Sequence, residues 1–237
     1  MGVGKIISLS GIDGVGKTTQ LSMLMDKYKQ TGCNVVSIFD INKDESYLTP
    51  NDFKIYYDYF SNADVIFTRF YLRSAKTLSL LNKVMYSNKG IFNNNELAYR
   101  LFKSCRSDAC IWFEEVINKL YKNGKTLIFD RYYFDEIAYR ALYSLDIEIL
   151  LKEYYGVFPL PDARFYLKLK PLIAYERAIT RNDEDKKSIL FNTPQKLEEL
   201  YLNFEQLNKV IGLNVLNAES DKAVINSKII SFLDLLN

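Results

Sequence analysis

The chain has 237 residues, 48% hydrophobic and 25% charged, enough to bury a real core in one large α/β domain. Lysine and arginine number 31 against 29 acidic residues, a net charge of +2 with no basic block, which disfavours a nucleic-acid backbone as partner and suits a small anionic ligand. Histidine is absent and Cys33, Cys105 and Cys110 lack paired spacing, so zinc sites and disulfide scaffolds are set aside; with no leader pattern and no long apolar span, a reduced, cytosolic enzyme without membrane partners is expected.

The first element is an apolar run with Ile6, Ile7 and Leu9 that leads straight into Gly11-Ile12-Asp13-Gly14-Val15-Gly16-Lys17-Thr18, the pattern G-x-x-x-x-G-K-[ST]. Glycine at 11, 14 and 16 lets successive N–H groups turn inward on one anion, and a helix starting near Gly16 aims its positive end at the same point. Lys17 supplies charge for the β- and γ-phosphates, and the Thr18 hydroxyl is a protein ligand for Mg²⁺. Gly11, Gly14, Val15, Gly16, Lys17, Thr18 and Thr19 are therefore the candidate residues for a nucleotide tail, with Leu21, Met25 and Tyr28 forming the apolar stripe of the helix up to Gly32.

Asn34 to Ile41 reads as a second strand, while residues 42–95 are the least legible part. There Leu78, Leu81 and Met85 suggest a helix ending near Gly90, and residues 64–72 fit strand or helix. Asn93 and Glu96 make an Asn variant of a capping box, opening a long core helix through Leu97, Leu101, Cys105, Trp112, Val116 and Leu120 to Gly124, with Phe102 and Arg106 sharing an offset face. A strand over 126–130 ends in Asp130, followed by Arg131 and Tyr132, and residues 135–145 read as a helix carrying Tyr139. A strand over 163–169, a helix from Pro171 with Arg177 and Arg181 on one face, a helix from Thr193-Pro194 to Gly212, a weak strand at 214–218 and a last helix capped by Ser220 complete the chain. Five strands alternating with helices imply an α/β fold with a parallel sheet covered on both faces, its ligands beyond the carboxyl ends of the strands.

Gly11 to Gln20, with its acidic Asp13, resembles the phosphate loop of the thymidylate kinase family, and Asp130-Arg131-Tyr132 with Tyr139 further on is similar to that family's Asp-Arg-Tyr segment. Phe102 and Arg106 stand at the family's distance before it, and the run from Pro161 through Glu176-Arg177 to Arg181, Asp185 and Lys186 resembles the strand, helix and lid of the bacterial-type enzymes. The likeness covers residues 1–41 and 96–237. It implies a three-layer P-loop kinase fold in one domain over 1–237, with a divergent acceptor-side segment at about 42–95 and a lid at about 177–190. Three departures stand out: no Arg-Glu-Pro follows the second strand, Asp108 replaces a Gln expected two residues after the acceptor arginine, and Lys186 replaces a lid arginine.

The resemblance implies transfer of the γ-phosphate of Mg-ATP to a nucleoside monophosphate, dTMP first among them, and a homodimer. Two phosphates must approach, at ~4 kcal/mol per pair of unit charges at 4 Å and an effective dielectric of 20, so several cations are needed. Arg106 and Arg131 are candidates for the acceptor phosphate, and Arg181 with Arg177 or Lys186 for the transferring group, with Asp130 holding Mg²⁺ through water or bracing Arg131. Asp13 contacts the acceptor by resemblance; Phe102 and Tyr139 are base-stacking walls or core aromatics. If residues 69–73 are helical, Arg69 and Arg73 share a face, and Arg69 stands in for the missing triplet's arginine or forms a surface pair. Asp40 would be the general base if the acceptor were a nucleoside or other small alcohol, and a non-catalytic nucleotide-binding relative is the third alternative.

Overall fold

The computed structural model describes residues 3–41, 52–86, 95–180 and 193–236. One sheet of six parallel strands runs through it in the order β2-β3-β4-β1-β5-β6, from β1 (Lys5–Ser10), β2 (Val35–Ser37), β3 (Val65–Arg69), β4 (Thr126–Asp130), β5 (Ala163–Lys168) and β6 (Asn214–Asn217). Its two central strands are β4 and β1, and their register sets Ile7 against Ile128 and Leu9 against Asp130. The phosphate loop after β1 and the Asp-Arg pair closing β4 therefore emerge side by side at one edge.

The sheet has six strands where five are expected. The additional one is β3, the stretch whose sequence fits either strand or helix. Val65 to Thr68 are all buried, so the strand carries no alternating signal and reads as a plain apolar run. The second strand is shorter than expected: it stops at Ser37, and a single helical turn, α2 (Ile38–Ile41), follows it and carries Asp40 exposed.

Helices cover both faces. They are α1 (Lys17–Gln30), α3 (Asp52–Ser61), α4 (Ala75–Tyr86), α5 (Asn95–Trp112), α6 (Asn118–Lys122), α7 (Tyr133–Ala141), α8 (Ile147–Tyr154), α9 (Pro171–Ile179), α10 (Pro194–Ile211) and α11 (Lys222–Asp234). The long core helix is α5 and α6 joined through a wider π turn at Phe113–Ile117, which keeps Phe113, Val116 and Ile117 all buried. Pro171 and Pro194 sit in the first turns of α9 and α10, Thr193 caps α10, and Gly212 ends it in the left-handed region.

Three expected ends differ. Asp221 rather than Ser220 caps α11, because its carboxylate accepts the Ala223 N–H at 2.7 Å. Helix α7 ends at Ala141, where turn bonds from Tyr143 and Ser144 back to Arg140 and Ala141 close it. Helix α8 was not anticipated; Asp146 opens it by accepting from Glu148 and Ile149. Asn93 and the expected helix end near Gly90 lie outside the described residues. Among the described residues no helix is long and apolar enough to cross a membrane.

Candidate functional site

The loop between β1 and α1 holds Gly11, Gly14 and Gly16 at φ of 141°, 84° and 96°. Gly14 is required twice over, since a Cβ there would stand 2.3 Å from the Ala174 carbonyl oxygen of α9. Val15 is buried as the loop's apolar foot, Thr18 is exposed and Thr19 half-buried at the start of α1. Lys17 is buried, and its Nζ donates to the carbonyls of Gly11 at 2.8 Å and Ile12 at 2.9 Å. Burial, followed by the nearby Arg131 cation, brings the Lys17 ammonium down to about 8.

Arg131 is the hub. It follows β4 directly, its N–H continuing the ladder to the Leu9 carbonyl at 3.0 Å, and it takes φ of 68°, an uncommon conformation for a side chain of this size. That geometry carries its guanidinium over the phosphate loop. There it is paired with Asp13, reaches Asp135 at 3.4 Å and the Tyr139 hydroxyl at 3.3 Å, and lies 5.2 Å from the centre of the Tyr139 ring. Burial opposes ionisation of Asp13, but Arg131, Lys17 and a hydrogen bond with Tyr139 hold its carboxyl down at about 2. Burial pushes the Tyr139 phenol well up, so it stays a neutral donor.

Asp135 is the site residue that the sequence reading missed. It is buried, accepts the Tyr132 N–H at 3.0 Å as the returning half of a capping box, and accepts the Gly11 N–H at 3.3 Å. One carboxylate thus ties the phosphate loop, Arg131 and the start of α7 together. An acidic residue three positions after Tyr132 was the available signal.

Asp13, Gly14, Gly16, Lys17, Thr18, Asp130 and Arg131 line one polar cavity of about 90 Å³. Among the described residues Asp130 Oδ1 is buried without a hydrogen-bond partner, an orphan that suits a cation or its water. With the Thr18 hydroxyl on the same cavity, the donor set fits Mg²⁺, which takes few protein ligands and keeps phosphate and water oxygens for the rest. No described cluster of three or more acidic, cysteine or histidine residues could hold a metal alone. A second, more open space of about 500 Å³ runs from Thr18 and Thr19 past Ser22 and Met23 to Lys222. Arg177 of α9 donates to the Ala218 carbonyl at 3.2 Å, just before that end of α11.

The other candidates lie away from this cavity. Arg69 closes β3 in register with Asp130, one strand away, and lies 4.9 Å from the centre of the Phe39 ring. Residues after it are not helical, so Arg69 and Arg73 do not share a helix face, and Arg69 reaches the sheet edge as a strand end instead. Arg106 is partly exposed and donates from Nε to the Glu153 carbonyl at 2.7 Å, at the end of α8. Phe102 is fully enclosed, stacked with Tyr99 and edge-on to Tyr154. Asp108 accepts the Ser74 N–H at 2.9 Å, ahead of α4. Arg181, Asp185 and Lys186 lie outside the described residues.

Comparison with known proteins gives one answer. A family model described as thymidylate kinase matches residues 61–229, a range that begins after the phosphate loop and includes part of the segment left out of the sequence likeness. A thymidylate kinase of Schizosaccharomyces pombe is 26% identical over 99% of this chain and 93% of its own length. A protein described as a probable thymidylate kinase of Thermococcus kodakarensis is 24% identical over 97% of both chains, and a thymidylate kinase of Desulfotalea psychrophila 24% identical over 86% of this chain and 82% of its own.

Proposed function

Because the chain belongs to the thymidylate kinase family, we propose that it transfers the γ-phosphate of ATP to dTMP, giving dTDP, in the cavity between the phosphate loop and the end of β4. The observation that carries this is the placement of Arg131, a cation held by Asp13, Asp135 and Tyr139 directly beside Lys17. A donor phosphate on the loop and an acceptor phosphate reaching from the β3 side both meet it. Arg131 then offsets the repulsion of two anions, while Asp13 and Tyr139 fix its plane and face the acceptor. Lys17 leaves the two loop carbonyls for the donor's β- and γ-oxygens.

Thr18 and Asp130 would hold Mg²⁺, which when bound neutralises donor charge. Arg177 and the open space beside Thr19 and Lys222 suit the nucleoside end of ATP. Arg69 and Arg106 are assigned to the acceptor, Tyr139 to its base and sugar side, and Arg181 to the transferring group from a lid at about 177–190, while the fully enclosed Phe102 takes the core-aromatic reading. We extend the resemblance to the rest: one kinase domain with its acceptor-side segment at about 42–95, a cytoplasmic homodimer, and only small-molecule nucleotide partners.

A phosphorylated acceptor is favoured over a nucleoside because Asp40, the base a hydroxyl acceptor would need, is exposed on α2 rather than set at a strand end. The test is ADP formation from Mg-ATP with dTMP and with thymidine. Turnover with dTMP and none with thymidine is expected; turnover with thymidine alone would reverse the assignment.

A further inference from the structure

Between β3 and α4 the chain crosses the sheet edge as a short arch, residues 69–74, in which Arg69 and Arg73 flank the anchors Phe70, Tyr71 and Leu72. Phe70 is buried as a plug among Tyr132, Phe113 and Phe158, with ring centres 4.8, 5.5 and 4.9 Å away. Leu72 is buried as well, and the Ser74 N–H is held by Asp108 of α5 at 2.9 Å. Arg69 and Arg73 remain half-buried.

One anchor is polar and reaches the helix that carries the phosphate-site residues. The Tyr71 hydroxyl donates to Glu136 Oε2 of α7 at 3.0 Å, and the other oxygen of that carboxylate accepts from Arg140 Nε at 2.5 Å. Burial pushes the Tyr71 phenol well up, so it is a donor at every working pH. The Glu136 and Arg140 side chains are each only 8% exposed. Replacing such a dry pair by apolar residues is often neutral or stabilising, so its presence fits a role in fixing geometry. On α7, Asp135 and Tyr139 form one face, toward Arg131; Glu136 and Arg140 form the next, toward the arch.

We propose that Glu136 is a positioning residue for the acceptor monophosphate: by holding the Tyr71 hydroxyl it locks the arch, and the arginines it bears, to the helix that orients Arg131. The inference rests on the acceptor binding at this edge, as the proposed function has it. None of Tyr71, Glu136 and Arg140 faces the donor cradle, so their loss is felt on one substrate only.

The experiment is steady-state dTDP formation by the full chain, titrating dTMP and ATP separately, with Tm recorded for each variant. Tyr71→Phe keeps the ring and the buried ion pair and removes one hydrogen bond. It is expected to raise KM for dTMP about tenfold, the size of one hydrogen bond to a charged group, to leave KM for ATP unchanged, and to lower Tm by only a few degrees. Glu136→Gln, whose amide oxygen still accepts from Tyr71 but without the charge, should give a smaller shift of the same kind. An unmoved KM for dTMP in Tyr71→Phe, or equal rises for both substrates, overturns the inference while the function stands. Absence of dTDP formation by the unsubstituted chain overturns both.

Discussion

Asp13 is a carboxylate inside a phosphate cradle, a placement that is unfavourable unless a cation answers it. Arg131 does so, and the shift of Asp13 to about 2 has a consequence for stability. A carboxyl whose folded pKa lies below its unfolded value near 3.8 contributes stability that is complete above that value and lost as pH falls toward the folded one. Asp13→Asn should therefore lower the urea midpoint at pH 7, by a gap that stays constant down to about pH 5 and narrows below 3.8. A gap independent of pH, or a variant more stable than the parent at pH 7, would contradict the pairing. Lys17 and Arg131 were legible from residue type and spacing, and Asp13 from the resemblance of its loop. Asp135 was not, because its task is to bind backbone N–H groups, and a helix-start carboxylate announces only a cap. The departure at Asp108 also has a physical account: the residue is spent on the Ser74 N–H, ahead of α4.

At the scale of elements, the phosphate loop is fitted closely to α9. Gly14 and Gly16 both lie in the left-handed region, yet a Cβ on Gly14 meets the Ala174 carbonyl at 2.3 Å while one on Gly16 meets nothing within 4 Å. Gly16→Ala should cost only backbone strain, about 1–2 kcal/mol. Gly14→Ala adds a collision with main chain and should lower Tm by several degrees more, since about 1 kcal/mol corresponds to ~2–4 °C at this size. Equal Tm losses in the ligand-free protein would show that α9 yields freely. Strands β1, β4 and β5 were legible because apolar runs end at glycine, proline or a charged pair. Strand β3 was not, since burial on both faces erases the period of two, and β2 was overread because Ile38 and Phe39 continue its apolar character into a helical turn.

At the scale of the molecule, sheet order decides which residues can cooperate. Placing β4 between β3 and β1 brings Arg69, Asp130, Arg131 and the phosphate loop to one edge, although they span positions 11 to 131 of the chain. The donor half of that edge follows from a local motif and was readable in the sequence. The half proposed for the acceptor is assembled from β3, α5, α7 and α8, and its long-range contacts, Ser74 with Asp108, Tyr71 with Glu136 and Arg106 with Glu153, leave no local pattern. Both halves meet at Arg131. The most direct measurement is dTDP formation from Mg-ATP and dTMP by the parent chain and by Arg131→Ala side by side. The account predicts turnover by the parent and a loss of about 10³-fold or more in the variant, the scale of a cation serving the transferring phosphoryl group. Comparable rates in the two would contradict it, because phosphoryl transfer would then proceed without the residue around which the site is built.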